Sequence, residues 1–281
     1  MSPFSASARR SVPFLLGIAA AGTATLALGP ALSSCRSPVV DCYTSPGGFG
    51  AKYILQSPPT GTCSEALTKE LTELRGDIVG FQSYVEDHYG RNPETDPSTL
   101  AVQTNTLGTT ARRYASRKTD GGEPAVDKAS PLYSLGVFDR PTIDENDFCS
   151  VTKLERAAQD LPGAVGIPAD PARDAGPQPP LPPISLAYEW SNLRVNLTPE
   201  INGSQVEAML TFTKNGCSAT YKVLAVYPYV QCLDKDKNPS QALCSPEPQP
   251  DAGRSVGSGL RFPTVCDPVL GFCVYDGDAF P

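Results

Sequence analysis

The residues best equipped for chemistry in this chain are its nine cysteines, Cys35, Cys42, Cys63, Cys149, Cys217, Cys232, Cys244, Cys266 and Cys273. A thiol serves as nucleophile, metal ligand or half of a disulfide, and spacing decides among these uses. No Cys-x-x-Cys pair occurs and His88 is the single histidine, so the ligand spacing of a tetrahedral zinc site is missing. Nine is odd, and one thiol must stand outside any set of intrachain bridges.

Other constellations are thinner. Gly253-Arg254-Ser255-Val256-Gly257 matches G-x-S-x-G, the nucleophile elbow of the α/β-hydrolases, whose serine needs a strand before it and a helix after it. The flanks "CSPEPQPDA" and "LRFPTVC" supply neither, and His88 precedes Ser255 instead of following it. At the end of a helix, His88 is explained as a cation near the negative pole. Asp234, Asp236 and Asn238 in "DKDKN" resemble the start of a calcium loop, but Pro239 stands where an EF-hand needs Gly and Ser245 where it needs Glu. Asp276-Gly277-Asp278 is no stronger. Arg75-Gly76-Asp77 is expected inside a helix, which removes it as a loop-tip motif. Asp144, Glu145 and Asp147 fit the acidic first turn of a helix better than acid–base chemistry. No catalytic, cofactor-binding or metal-ligating residue is therefore assigned, no cofactor is expected, and a non-enzymatic role is favoured.

The odd thiol has a place in the N-terminal sequence. Arg9 and Arg10 are followed by an uncharged stretch, Ser11–Leu28, rich in Ala, Gly and Leu, the build of a secretory leader. Pro13, Gly17, Gly22, Gly29 and Pro30 make an uncleaved membrane span the poorer reading. Leu32-Ser33-Ser34-Cys35, at the end of that leader, resembles a bacterial lipobox. The resemblance implies a lipoprotein signal peptide over residues 1–34, acylation of Cys35, and a lipid anchor that leaves the other eight cysteines to pair. Arg36, in place of a retention-marking Asp, implies the outer membrane in a Gram-negative host. Arg9-Arg10 also resembles a twin-arginine signal, but Ala8 and the following "SVPF" depart from it, and general secretion is expected. The resemblance covers about the first 36 residues and gives the body no family.

In an oxidising compartment Cys42, Cys63, Cys149, Cys217, Cys232, Cys244, Cys266 and Cys273 are expected as four disulfides of open connectivity. Local loops Cys42–Cys63, Cys232–Cys244 and Cys266–Cys273 are plausible from their short separations. With 30 acidic against 23 basic residues and a net charge of −7, the surface repels phosphate, which argues against nucleic acid as a partner. The 29 Pro and 24 Gly of 281 residues announce abundant turns.

The elements that must position these residues follow from periodicity. Residues 35–61, with "SPGGFG" and "SPPTG", read as a flexible tether with one short strand at Ala51–Leu55. Leu67, Leu71, Leu74, Ile78, Phe81 and Val85 recur at helical spacing and predict a helix over about 63–89, capped by Thr62 with Glu65. Thr99–Ser116 and Pro131–Phe138 read as strands, and Asp144–Asp160 as a second helix. Residues 167–183 are a proline-rich linker. Beyond it, alternating runs around Asn202-Gly203 and Asn215-Gly216 predict an antiparallel meander, with strands near 259–266 and 271–276. The expectation is an α+β chain: a helix-containing mixed domain over 62–166 and a disulfide-rich antiparallel β region, meander or small sandwich, over 184–281. Its expected role is that of a lipid-anchored, extracytoplasmic cell-envelope protein, structural or binding, with the membrane and an envelope protein or cell-wall component as partners. An exported surface hydrolase and a solute-binding lipoprotein are the alternatives.

Overall fold

Alternation of inward apolar and outward polar side chains extends over both halves of the chain and builds one antiparallel sheet. The computed structural model describes residues 40–84, 97–169, 176–198 and 200–281; the leader, Cys35, Arg36, Val85 and His88 lie outside them. The strands are β1 Gly47–Gly61, β2 Gly76–Tyr84, β3 Thr99–Thr104, β4 Ser134–Val137, β5 Phe148–Lys153, β6 Ala157–Leu161, β7 Ile184–Asn196, β8 Gln205–Lys214 and β9 Cys217–Val226. Helices α1 Glu65–Glu73 and α2 Asn105–Ala115 follow β1 and β3. The sheet runs β4-β3-β2-β1-β9-β8-β7-β5, and β6 pairs with β7 beyond β5. Its two edges approach each other: Asp139 N donates to the Ser150 carbonyl at 2.8 Å and Glu155 N to that of Leu135 at 2.7 Å. The result is a nearly closed barrel, which disposes of exposed strand edges.

The expected α+β architecture with a helical N-terminal region is thus overturned. At about eight strand positions a barrel is just wide enough for side chains to fill it, and Phe49, Val79, Phe81, Leu100, Trp190, Leu193, Leu210 and Val223 do so. Phe49 and Phe81 meet edge to face at 4.8 Å. Residues 47–61, composed like a tether, form the central strand β1 between β2 and β9. The β7–β9 meander, turning at Asn202-Gly203 and Asn215-Gly216 with positive φ at all four residues, is part of this same barrel. Its pairing with β1 and β5 joins the regions on either side of the proline-rich segment.

The helix expected over 63–89 ends at Glu73 and gives way to β2. Ser64, not Thr62, caps it, accepting from Leu67 N at 3.2 Å. Asp77, Val79 and Phe81 alternate inward, a period of two that the Leu74-Ile78-Phe81 spacing disguised. Backbone proximity enforces the strand: a Cβ at Gly76 would lie 2.0 Å from the Ala51 carbonyl. Gly76→Ala is expected to cost about 3 kcal/mol, the upper end of ordinary overpacking, measured as a shift in denaturation midpoint; an unchanged midpoint contradicts this close approach.

The second expected helix is also replaced by strands. Asp144 Oδ1 accepts from Asn146 N at 2.8 Å and Phe148 N at 2.9 Å, closing a turn instead of starting a helix. Cys149 and Val151 then face inward from β5. Conversely, the second half of the expected strand 99–116 is α2, because Leu107, Ala111 and Tyr114 share one buried face. The flanks of the proline-rich segment are fastened. Ile167 and Gln178 exchange backbone hydrogen bonds, as do Ala164 and Leu181, and Arg117 holds the Gln178 side chain at 2.6 Å.

After β9 the chain forms a cap on the outer face of the barrel, with the hairpin β10 Thr264–Asp267 and β11 Phe272–Tyr275. Its small core, including Val230, Leu243, Leu260 and Tyr275, packs on Leu224, Val226 and Ile54. Arg75 Nε donates to buried Asp267 at 2.8 Å, tying cap to barrel. The cap and barrel belong to one compact unit spanning Val39–Pro281.

Candidate functional site

The eight cysteines of the body are joined as Cys42–Cys149, Cys63–Cys217, Cys232–Cys266 and Cys244–Cys273. None of the local loops suggested by spacing forms. Cys232, Cys244 and Cys273 gather within 4.8 Å, but their sulfurs are already spent in two neighbouring bridges and offer no thiolate to a metal. With these eight consumed, the ninth cysteine of the sequence is Cys35, which lies outside the described residues.

The other motifs resolve as local structure. Ser255 is exposed in a loop that follows a short 3-10 turn, Pro250–Ala252, with no strand–turn–helix frame around it. Asp234 Oδ1 accepts from Asp236 N at 2.8 Å and Asn238 N at 2.9 Å, so the calcium-like run closes its own turn. Asp278 pairs with Lys52 at 3.1 Å. Among the described residues no helix is long and apolar enough to cross a membrane.

A polar cluster that the motif reading missed lies at one end of the barrel. Helices α1 and α2 plug that end, burying Leu71 and Leu107 in the core. Tyr221 Oη, fully buried, donates at 2.5 Å to the Leu71 carbonyl, satisfying one of the orphan carbonyls of the last turn of α1. Burial, aided by the charge of Glu70, pushes its phenol up to about 12.

Beside this plug is a cavity of about 120 Å³ whose walls include Tyr53, Asp77, Thr106, Tyr188, Phe212 and Lys214. Asp77 is 8% exposed. Its carboxylate accepts from Ile78 N at 2.8 Å and Thr106 N at 3.0 Å, fastening β2 to the first turn of α2. Tyr53 is 6% exposed and, among the described residues, its hydroxyl has no hydrogen-bond partner. The Tyr188 ring lies 4.7 Å from that of Phe212. Burial, then the neighbouring Asp77 charge, pushes both tyrosine phenols well above their usual range. Lys214 is held by Glu70 at the partly exposed rim. Tyr53, Asp77 and Tyr188 come from three strands, so spacing alone does not unite them. One signal was available: an aspartate in phase with Val79 and Phe81 on an inward strand face.

Burial also raises the Asp77 carboxyl above 3.8, against the opposing pull of the Thr106 and Ile78 hydrogen bonds. A folded pKa above the unfolded one means that ionisation is harder in the folded chain. This group's contribution to stability is therefore present in acid and lost as pH rises from 3.8 through the folded value. Asp77→Asn is expected to flatten that decline in melting temperature against pH, whereas parallel wild-type and variant curves contradict the burial of an ionising carboxyl.

Comparison with known proteins gives the body a family that the N-terminal sequence did not reveal. Over 261 residues, 89% of this chain and 92% of the relative, the sequence is 28% identical to a Myxococcus xanthus protein named "Putative lipoprotein MlpA". No solved structure matches. The MlpA family model matches residues 47–228, from the first residue of β1 to just past the end of β9. With all the barrel strands inside that match and the C-terminal cap beyond it, this chain belongs to the MlpA family.

Proposed function

We propose that this chain is a lipoprotein of the bacterial cell envelope, exported, cleaved before Cys35, acylated there, and presenting its disulfide-stapled barrel outside the cytoplasm. The observation that carries the reading is the cysteine accounting: four bridges consume every other cysteine and leave the one in Leu32-Ser33-Ser34-Cys35. The bridges themselves suit an oxidising compartment, and the name of the Myxococcus relative agrees. Cys42 is already bridged to Cys149, so at a maximum of about 3.6 Å per residue the barrel is held within roughly 25 Å of the lipidated residue. That short leash makes the membrane, through its lipid, and a protein or cell-wall component of the envelope the partners within reach. Arg36 favours the outer membrane in a Gram-negative host.

A second reading, solute binding by the same anchored body, is favoured by the cavity holding Tyr53 and Asp77. The anchored reading is tested by phase partition of protein extracted in a nonionic detergent. It is expected in the detergent phase and resistant to alkaline washing of the membranes; recovery in the aqueous phase overturns the anchor.

A further inference from the structure

We propose that the cavity at the helix-plugged end of the barrel is a binding site for the primary ammonium group of a small organic cation. Independently of the anchor, three features converge on that chemistry. Asp77 carries a buried carboxylate into the cavity wall, and among the described residues it has no ion-pair partner. Two backbone amides occupy part of its acceptor capacity, while a carboxylate offers about four lone-pair sites in all. Tyr53, on the same wall, is more than nine-tenths buried with its hydroxyl unpartnered, an arrangement that costs free energy until a polar group enters.

The third feature is aromatic. Tyr53, Tyr188 and Phe212 contribute to one small chamber, and ring faces attract a cation most strongly when it is desolvated. An ammonium group has three donors. They match a carboxylate oxygen, a phenolic oxygen and a threonine hydroxyl, the acceptors that Asp77, Tyr53 and Thr106 bring to the wall. The protein's nearby cation does not fill this role, because Lys214 is engaged with Glu70 at the rim. Size restricts the ligand. A cavity of about 120 Å³ lies well below the roughly 300–1,000 Å³ of sites for drug-sized molecules. Leu74, Ile184 and Leu186 add an apolar wall that suits a short alkyl chain behind the charge.

The test uses the purified, oxidised mature chain at neutral pH with n-propylammonium as probe and n-propanol and tetramethylammonium as controls, followed by calorimetry and thermal melting. Saturable binding of n-propylammonium at millimolar concentration is expected, with a rise in melting temperature that neither control produces. Asp77→Asn is expected to weaken binding roughly tenfold or more, since it removes the counter-charge. Tyr53→Phe is the safer variant, because among the described residues its hydroxyl makes no hydrogen bond that the substitution would break. It is expected to melt no lower than wild type and yet bind n-propylammonium several-fold more weakly, the loss of one hydrogen bond. Absence of saturable binding by wild type, equal binding of n-propanol, or unchanged affinity in Tyr53→Phe each overturns the proposal.

Discussion

Replacing Cys63 and Cys217 together by alanine is expected to remove about 5 kcal/mol of folding stability, the largest loss of any single bridge. The bridge closes a loop of 154 residues, and the entropy withheld from the unfolded chain grows with the logarithm of loop length. Cys42–Cys149 spans 107 residues and should follow closely. Cys232–Cys266 and Cys244–Cys273 span 34 and 29, worth nearer 4 kcal/mol each on the same entropy scale. A total stability of roughly 5–15 kcal/mol is usual for a domain, so either long bridge is a large part of the whole.

The Cys63–Cys217 bridge also has a local task. Cys63 directly precedes Ser64, the cap of α1, while Cys217 opens β9 beside the Asn215-Gly216 turn. Thr62 N donates to the Gly216 carbonyl at 2.9 Å, reinforcing the same junction. Loss of the bridge should therefore loosen α1, its Leu71 plug and the cavity wall before the far end of the barrel. Guanidinium unfolding of wild type and double variant, with hydrogen exchange over α1, measures both effects. A midpoint displaced by less than the equivalent of about 1 kcal/mol contradicts the loop-closure account.

Cys35→Ala is expected to move the protein from membrane to soluble fraction almost completely, or to leave it unprocessed with its leader attached. The effect is large because burial of acyl chains contributes about 0.8 kcal/mol per methylene, and two chains on one residue give a stable anchor where one gives a marginal one. No described helix supplies a second way to hold the membrane. The folded body should not change, because the eight remaining cysteines pair without Cys35. Identical melting curves for wild type and the processed variant, together with opposite fractionation, are the expected result. A Cys35→Ala protein that stays membrane-bound after cleavage contradicts lipidation at this residue.

How far the fold can be read from the chain depends on whether its cues are local. Asn202-Gly203 and Asn215-Gly216 carry their turn chemistry in two residues, and both turns are where the sequence places them. The Ser64 cap was misplaced by only two positions. Leu74, Ile78 and Phe81 fit a helical stripe, whereas Asp77, Val79 and Phe81 fit one face of a strand. The decision between them was made by β1 and β3 on either side, elements far away in sequence or hidden in a segment that composition reads as tether. Thr106, Thr109 and Thr110 gave α2 a β-branched, strand-like composition, which the shared buried face of Leu107, Ala111 and Tyr114 outweighs.

Site residues divide along the same line. Cys35 is singled out as the proposed anchor by its immediate neighbours and by the leader-like sequence before it. The bridges required the fold, because short separation is a poor guide when the barrel brings residues 63 and 217 to one corner. The cavity was least visible of all: Tyr53, Asp77 and Tyr188 meet only because strands β1, β2 and β7 face a common interior. Tyr53 reads in sequence as one more apolar position of a strand, and only its unpartnered hydroxyl in the folded chain sets it apart.

The most direct test is the intact mass of protein extracted from membranes and alkylated without prior reduction, which reads the N-terminus, the acyl groups and the free thiols at once. A chain that begins at Cys35, carries the mass of at least two acyl chains and has no alkylated cysteine is the expected result. A chain without lipid, or one with alkylated thiols among Cys42, Cys63, Cys149, Cys217, Cys232, Cys244, Cys266 and Cys273, contradicts it.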